Sequence, residues 1–192
     1  MKIYQGNFEY ASQKALELKN NHKEGLIIAI SDSISIAIGS KPNTCNYDKI
    51  NQLNYTIYEG LWNGGTCVVF PNDISLCMIA HNENDFGIKC LQKLQDFLKN
   101  KGIKSYKCGN DLIIIEQKNN TQYLYKVASS GSAWKNNSYF ECVVHISMAV
   151  NQDLITQICT KPMLKKPKGL NDYNLNTNEI LQYLKQKIIE LQ

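Results

Sequence analysis

The sequence contains no arginine, and all 21 of its basic residues are lysine. Any carboxylate or phosphate it holds must be met by lysine point charges, backbone N–H groups or hydroxyls, never by a guanidinium fork. The excess of base over acid is small, at 21 against 17 side chains. That permits attraction to an acidic protein but is not the footprint of a nucleic-acid binder. The seven cysteines, at 45, 67, 77, 90, 108, 142 and 159, include no C-x-x-C pair. The one C-x-x-H, Cys142 with His145, is too little for a zinc site, so no metal is expected. No apolar run approaches the roughly 18 residues of a membrane span. The first residues, MKIYQGNFEY, lack the apolar stretch of a signal peptide. The expectation is a cytoplasmic protein with reduced thiols, without nucleic-acid or membrane partners.

What is present is enough for one well-buried domain: 192 residues, 43% of them hydrophobic. Phe8, Ala11, Ala15 and Leu18 share a helical face and predict a helix over 7–21. LIIAI (26–30) and ISIAIG (34–39) are β-branched runs, and TIYEG, TCVVF and ISLCMIA carry the strand pattern to residue 80. Phe86, Cys90, Leu94 and Phe97 mark a second helix, stopped at Lys101-Gly102. KSYK, LIIIEQ and QYLYKVA follow as strands, with a hairpin tip at Asn119-Asn120. ECVVHISMAV is another strand, and Asp153 to Cys159 a helical turn. Asn176 with Glu179 forms a capping-box pattern ahead of a terminal helix bearing Ile180, Leu184, Ile188 and Leu191. No repeat or linker divides the chain, so an α+β fold in a single domain over 1–192 is expected.

Within this frame, residues 125–134 read YKVASSGSAW, a lysine ending a β-prone run and followed at once by small residues. Lys126 is either an exposed strand lysine beside a polar turn or a cation aimed at a ligand that the small residues leave room for. Gly64-Gly65 allow close backbone approach to a ligand or form an ordinary turn. His145 lies in an alternating strand, as a packed histidine or a base. Asp73 in PNDIS reads as a turn residue. KPMLKKPKG (161–169) holds four lysines, as a solvated loop or a dock for an acidic protein.

The order of these segments resembles the superfamily of lipoate–protein ligases, octanoyltransferases and biotin ligases, from about Ser33 to Asn174. The ISIAIG strand matches its V-x-I-G element, and GLWNGGTCVVF its R-R-x-S/T-G-G-x-x-V-x-H segment. PNDISLCMI stands where the family has D-D-x-L-T-Y-S, and CGNDL (108–112) echoes G-R-N-D-L. Lys126 to Gly131 fit K-I-A-x-x-G, Gly131-Ser132-Ala133 end the ligase motif K-x-x-G-S-A, and HISMAVNQD (145–153) matches H-G-S-I-L-x-D-x-D. Lys168-Gly169-Leu170 echoes a Lys-Gly-Ile-Lys element.

The resemblance implies a mixed β-sheet flanked by helices, without the accessory C-terminal domain of larger ligases. It implies transfer of a lipoyl or octanoyl group to the lysine of a lipoyl carrier domain or a glycine-cleavage H-type protein, with acyl carrier protein as a possible donor. Lipoate or octanoate would be the substrate, with ATP and Mg only in a ligase. A non-catalytic relative that binds an acylated carrier is the alternative. A biotin ligase ranks last, because the glycine-arginine-rich biotin loop is missing.

Lys126 would stabilise charge at the acyl carbonyl, in a pocket formed with Gly64, Gly65, Asp111, Ser129, Ser130, Gly131, Ser132 and His145. Two cysteines compete as nucleophile: Cys159, 33 residues after Lys126 as in octanoyltransferases, and Cys108, near the cysteine of another amidotransferase branch. Ligase-type sequences place leucine at the position of Cys159, which fits a packing role. The chain departs from the family pattern at Gly60 and Leu61 (two arginines), Phe70 (histidine), Gly109 (arginine) and Ile146 (glycine). Each lost arginine removes a bidentate partner for carboxylate or phosphate.

Overall fold

The β-branched runs pair into two sheets in a computed structural model that describes residues 1–39, 44–59, 65–135, 139–160 and 165–189. In chain order the first half is β1 (Ile3–Asn7), α1 (Phe8–Asn20), β2 (Gly25–Ile30), β3 (Ser35–Ile38), α2 (Tyr47–Gln52), β4 (Thr56–Glu59), β5 (Cys67–Val69) and β6 (Ile74–Ala80). The second half is α3 (Phe86–Asn100), β7 (Ser105–Cys108), β8 (Asp111–Lys118), β9 (Thr121–Lys135), β10 (Tyr139–Ile146), α4 (Gln152–Ile158), β11 (Lys166–Pro167) and α5 (Thr177–Ile189). A 3-10 turn at Leu170–Tyr173 precedes α5. The large sheet runs β1-β2-β6-β10-β9-β8-β7 with β11 beside β9, and the small sheet β4-β3-β5. Both mix parallel and antiparallel pairs. The expected α+β architecture, a mixed sheet flanked by helices, is what the chain adopts.

Alternation along the strands sorts the core into layers. One face of the large sheet packs Leu76, Val144 and Ile146 against Phe86, Leu94 and Phe97 of α3 and Ile180 and Leu184 of α5. Its other face packs Ile27, Cys77 and Ile79 against Phe8, Ala11, Ala15 and Leu18 of α1 and against Ala37 and Val69 of the small sheet. The outer face of the small sheet, with Ile36, Ile38 and Val68, is closed by Ile50 of α2 and by Leu154, Ile155 and Ile158 of α4. A buried ion pair between Lys19 and Glu141 fastens α1 to β10.

Local signals behave as their chemistry dictates. Asn119 and Asn120 both take positive φ at the β8–β9 tip, and Gly102 does so just after α3. Asn176 Oδ1 accepts the Glu179 N–H at 3.0 Å, but the Glu179 carboxylate pairs with Lys101, so the cap is made in one direction only. Leu191 lies outside the described residues. The pattern reading did not include β1, α2 or the 3-10 turn. It also ended β9 too soon. The small residues after Lys126 form no turn: the strand runs on to Lys135, paired with β10 from Ala128 onward.

That continuation contains an irregularity that places Lys126. Opposite β8, Leu112 pairs with Ala128 but Ile113 pairs with Lys126, so Val127 is an extra residue, a β-bulge. Val127 and Ala128 both enter the core beneath α3 and α5. In a regular strand, residues three apart face opposite ways. The bulge resets that parity, so Lys126 opens onto the same cavity as Ser129 and Gly131.

Candidate active site

Between the two sheets lies a cavity of about 510 Å³. Strand β9 forms one wall with Lys126 and Ser129 to Ala133. Strands β10 and β6 supply Val143, His145 and Ser75, and the small sheet faces them with Ala37, Gly65, Thr66 and Cys67. Serine, glycine and alanine side chains reach only a short way from a strand, so the wall following Lys126 is hollow where a larger residue would fill it. The volume lies within the range of small-molecule sites.

The polar side is built on His145. Its Nδ1 lies 3.3 Å from Ser75 Oγ, across the β6–β10 pair, and its Nε2 lies 3.3 Å from Asp73 Oδ2. Asp73 is 1% exposed and is no ordinary turn residue. Its Oδ1 accepts the Met148 N–H at 2.6 Å and its Oδ2 the Phe70 N–H at 2.9 Å, which ties the loop ahead of β6 to the segment after β10. The Cys67 thiol, from the small sheet, faces the same cavity as the imidazole and donates to the Val68 carbonyl at 3.7 Å.

These groups displace one another's titration. Burial disfavours the charged His145, but the Cys67 sulfur and the Asp73 carboxylate outweigh it and push the imidazole up to about 10. Burial also raises the Cys67 thiol, yet the charge of His145, followed by that of Lys126, brings it below the ordinary thiol value. The two displacements run in opposite directions, the thiol down and the imidazole up, each drawn by the charge of the other.

Of the residues singled out from the sequence, Lys126, Gly65, Ser129, Ser130, Gly131, Ser132 and His145 line the cavity. Ser130 also touches the far side of the sheet, where its side chain packs against Gly87 at the start of α3. Gly64 falls outside the described residues, as do Gly60, Leu61 and 161–164. Asp111 sits across from Ser129 in the β8–β9 ladder, with its carboxylate 2.7 Å from Lys165 Nζ, while Asn110 reaches the cavity in its place. Cys108 is exposed at the end of β7. Cys159 is half-buried beside the cavity, 4.0 Å from the Thr66 carbonyl, and burial pushes its thiol up to about 11. Of the basic loop, Lys168 pairs with Glu116 and Lys165 with Asp111, so both charges are already engaged. Cys67, Asp73, Ser75 and Asn110 were not among the sequence-derived site residues. Each lies in or beside a quoted motif: Cys67 two residues beyond the glycine pair, Asp73 and Ser75 in PNDISLCMI, and Asn110 in CGNDL.

Among the described residues, no group of histidine, cysteine and carboxylate side chains is placed to hold a metal ion, and no helix is long and apolar enough to cross a membrane.

No protein-family model matches the sequence, and no curated protein does. Solved structures match closely in shape. P. falciparum LipL1, in complex with lipoate, superposes with a TM-score of 0.72 at 14% identity, over 98% of this chain and 60% of its own. This chain thus spans three-fifths of that protein's length. A bi-partite lipoate protein ligase of Thermoplasma acidophilum, described with its E2 lipoyl domain, gives 0.72 at 12% identity over 98% of this chain and 82% of its own. Lipoate-protein ligase A bound with ATP gives 0.70 at 10% identity over 95% and 81%. The fold is that of the lipoate–protein ligases.

Proposed function

We propose that the chain transfers a lipoyl or octanoyl group to the side-chain amine of a lysine on a lipoyl carrier domain, as one catalytic domain. The observation that carries this reading is the Lys126 ammonium at the edge of a cavity of about 510 Å³ whose adjoining wall is made of small residues. Such a space suits an unbranched acyl chain. A cation beside its carbonyl stabilises the oxyanion of acyl transfer, and more strongly as water is excluded. The shared fold supports the reading, since proteins of like fold include one in complex with lipoate and one described with its E2 lipoyl domain.

The donor is proposed to be an acyl thioester. With no arginine in the chain, a triphosphate would be held without any bidentate partner. An acyl thioester carries its activation within itself. Acyl carrier protein is one such donor, and a glycine-cleavage H-type protein is a second acceptor of the same chemistry as the lipoyl domain.

The test is to incubate the protein and a lipoyl domain with octanoyl acyl carrier protein, and separately with octanoate, ATP and Mg²⁺. The expected result is one octanoyl mass on the lipoyl-domain lysine from the thioester. Lys126→Ala should slow it by about 10²–10³-fold, the usual cost of an oxyanion donor. Acylation only with ATP would reassign the chain as a ligase. Binding of the octanoylated domain without turnover under either condition would leave a non-catalytic carrier-binding relative.

A further inference from the structure

The two cysteines favoured by position leave the acyl carbonyl without a nucleophile on the cavity surface. Cys108 is exposed on β7, and Cys159 lies behind Thr66, outside the cavity lining. A third cysteine does face the cavity. We propose that Cys67 is the nucleophile of the acyl transfer, with His145 as its base and Asp73 as the residue that positions the imidazole. The proposal rests on the transfer reading above and deepens it.

A cysteine, a histidine and a buried carboxylate are gathered at one end of the cavity, with Ser75 Oγ 3.3 Å from the other ring nitrogen of His145. Cys67 and His145 both line the cavity, from the small sheet and the large sheet respectively. His145 Nε2 lies 3.3 Å from Asp73 Oδ2, and Asp73 is itself fixed by the Met148 and Phe70 N–H groups. The groups facing Cys67 are His145 of β10, Lys126 of β9, Asp73 before β6 and Cys159 after α4. Two basic side chains thus stand against one carboxylate around the sulfur. The downward displacement of the Cys67 thiol accords with that arrangement.

The chemistry balances with a thioester donor. The Cys67 sulfur, its proton passed to His145, attacks the donor carbonyl beside Lys126. The donor's carbon–sulfur bond breaks, and the departing thiolate takes that proton from His145, which is again free to act as a base. The acyl group is now a thioester on Cys67. The carrier lysine amine then attacks that carbonyl, an amide bond forms, the bond to Cys67 breaks, and His145 takes the amine's proton and returns it to the sulfur. Nothing is oxidised or reduced.

The experiment incubates the intact protein with octanoyl-coenzyme A and reads intact mass and a peptide map. A parallel arm measures the pH dependence of iodoacetamide alkylation at Cys67 in folded protein. The expected result is one hydroxylamine-labile octanoyl group on Cys67, absent in Cys67→Ser and still formed in Cys159→Ser. The alkylation midpoint should lie below that of an ordinary thiol and rise in His145→Gln. The proposal is overturned by an adduct on Cys159 or Cys108, by undiminished carrier acylation in Cys67→Ser, or by an ordinary-thiol profile for Cys67. An absent adduct overturns it too, and the lipoyl-domain assay then separates the cases. Carrier acylated from octanoate and ATP leaves the transfer reading standing, and carrier acylated from neither donor removes both. If Cys67→Ser fails to fold, the wild-type peptide map and the His145→Gln profile still decide.

Discussion

Replacing Asp73 by asparagine changes one oxygen to an NH₂ group and almost nothing in shape. The carboxylate is 1% exposed and accepts Met148 N–H on one oxygen and Phe70 N–H on the other, the second oxygen also facing His145 Nε2. An amide has a single acceptor oxygen. Whichever way it is turned, at least one buried backbone N–H then meets a donor instead of an acceptor. An unsatisfied buried donor costs about 1–3 kcal/mol. For a chain of this size, about 2 kcal/mol corresponds to a fall in melting temperature of about 4–8 °C. The midpoint of urea unfolding should fall with an unchanged slope. His145, deprived of the carboxylate that helps raise it to about 10, should titrate lower when its ring protons are followed by NMR. A variant that melts with the wild type and titrates like it would refute the reasoning, because it would mean that Asp73 is neither buried against these donors nor coupled to His145.

Further outcomes follow from contacts outside the cavity. A Cβ at Gly169 would meet the Met148 carbonyl oxygen at 2.4 Å and Ala149 Cα at 2.8 Å, both backbone, so Gly169→Ala should cost about 1–3 kcal/mol, read as a lower unfolding midpoint. The adjoining Lys168 N–H donates to the Lys126 carbonyl, so acyl transfer should fall with it. Burial raises the Glu116 carboxyl, but hydrogen bonds from Lys168, Tyr173 and Lys118 outweigh it and hold it down at about 2. A depressed carboxyl contributes stability that is present above its ordinary value of 4.5 and lost as pH falls toward about 2. The group is near the surface, so we discount the shift to about 1–2 kcal/mol. Urea midpoints at about pH 6 and about pH 3 should differ by less in Glu116→Gln than in the wild type.

The legible part of the fold was the part with period. β2, β3, β6 and β10 are rich in apolar, strand-prone residues, and α1, α3 and α5 place apolar residues on one face, so pattern sufficed. β1 could not be seen, because IYQGN carries no apolar run and gains its place only by pairing with β2. The small-residue run after Lys126 was read against a polar turn because serine and glycine lack strand propensity. Pairing with β10 overrides that preference. At the site, Lys126 and the serines were legible from motif order, but their common face was not. It depends on the bulge at Val127, which no composition announces. Asp73 looks like a turn residue in the sequence because its contacts with Met148 and His145 cross to residues far along the chain, and Cys67 gains meaning only once β5 stands opposite β10.

The cavity belongs to neither sheet alone. Lys126 and His145 stand on the large sheet and Cys67 on the small one. A chain whose small sheet has not yet closed therefore carries a thiol apart from the imidazole, and no cavity. The cavity and the meeting of Cys67 with His145 therefore arise in a single closing event. The same event makes Cys67 a built-in clock for folding. After dilution from denaturant, the moment its alkylation accelerates marks the meeting of the two sheets, with no label added to the protein.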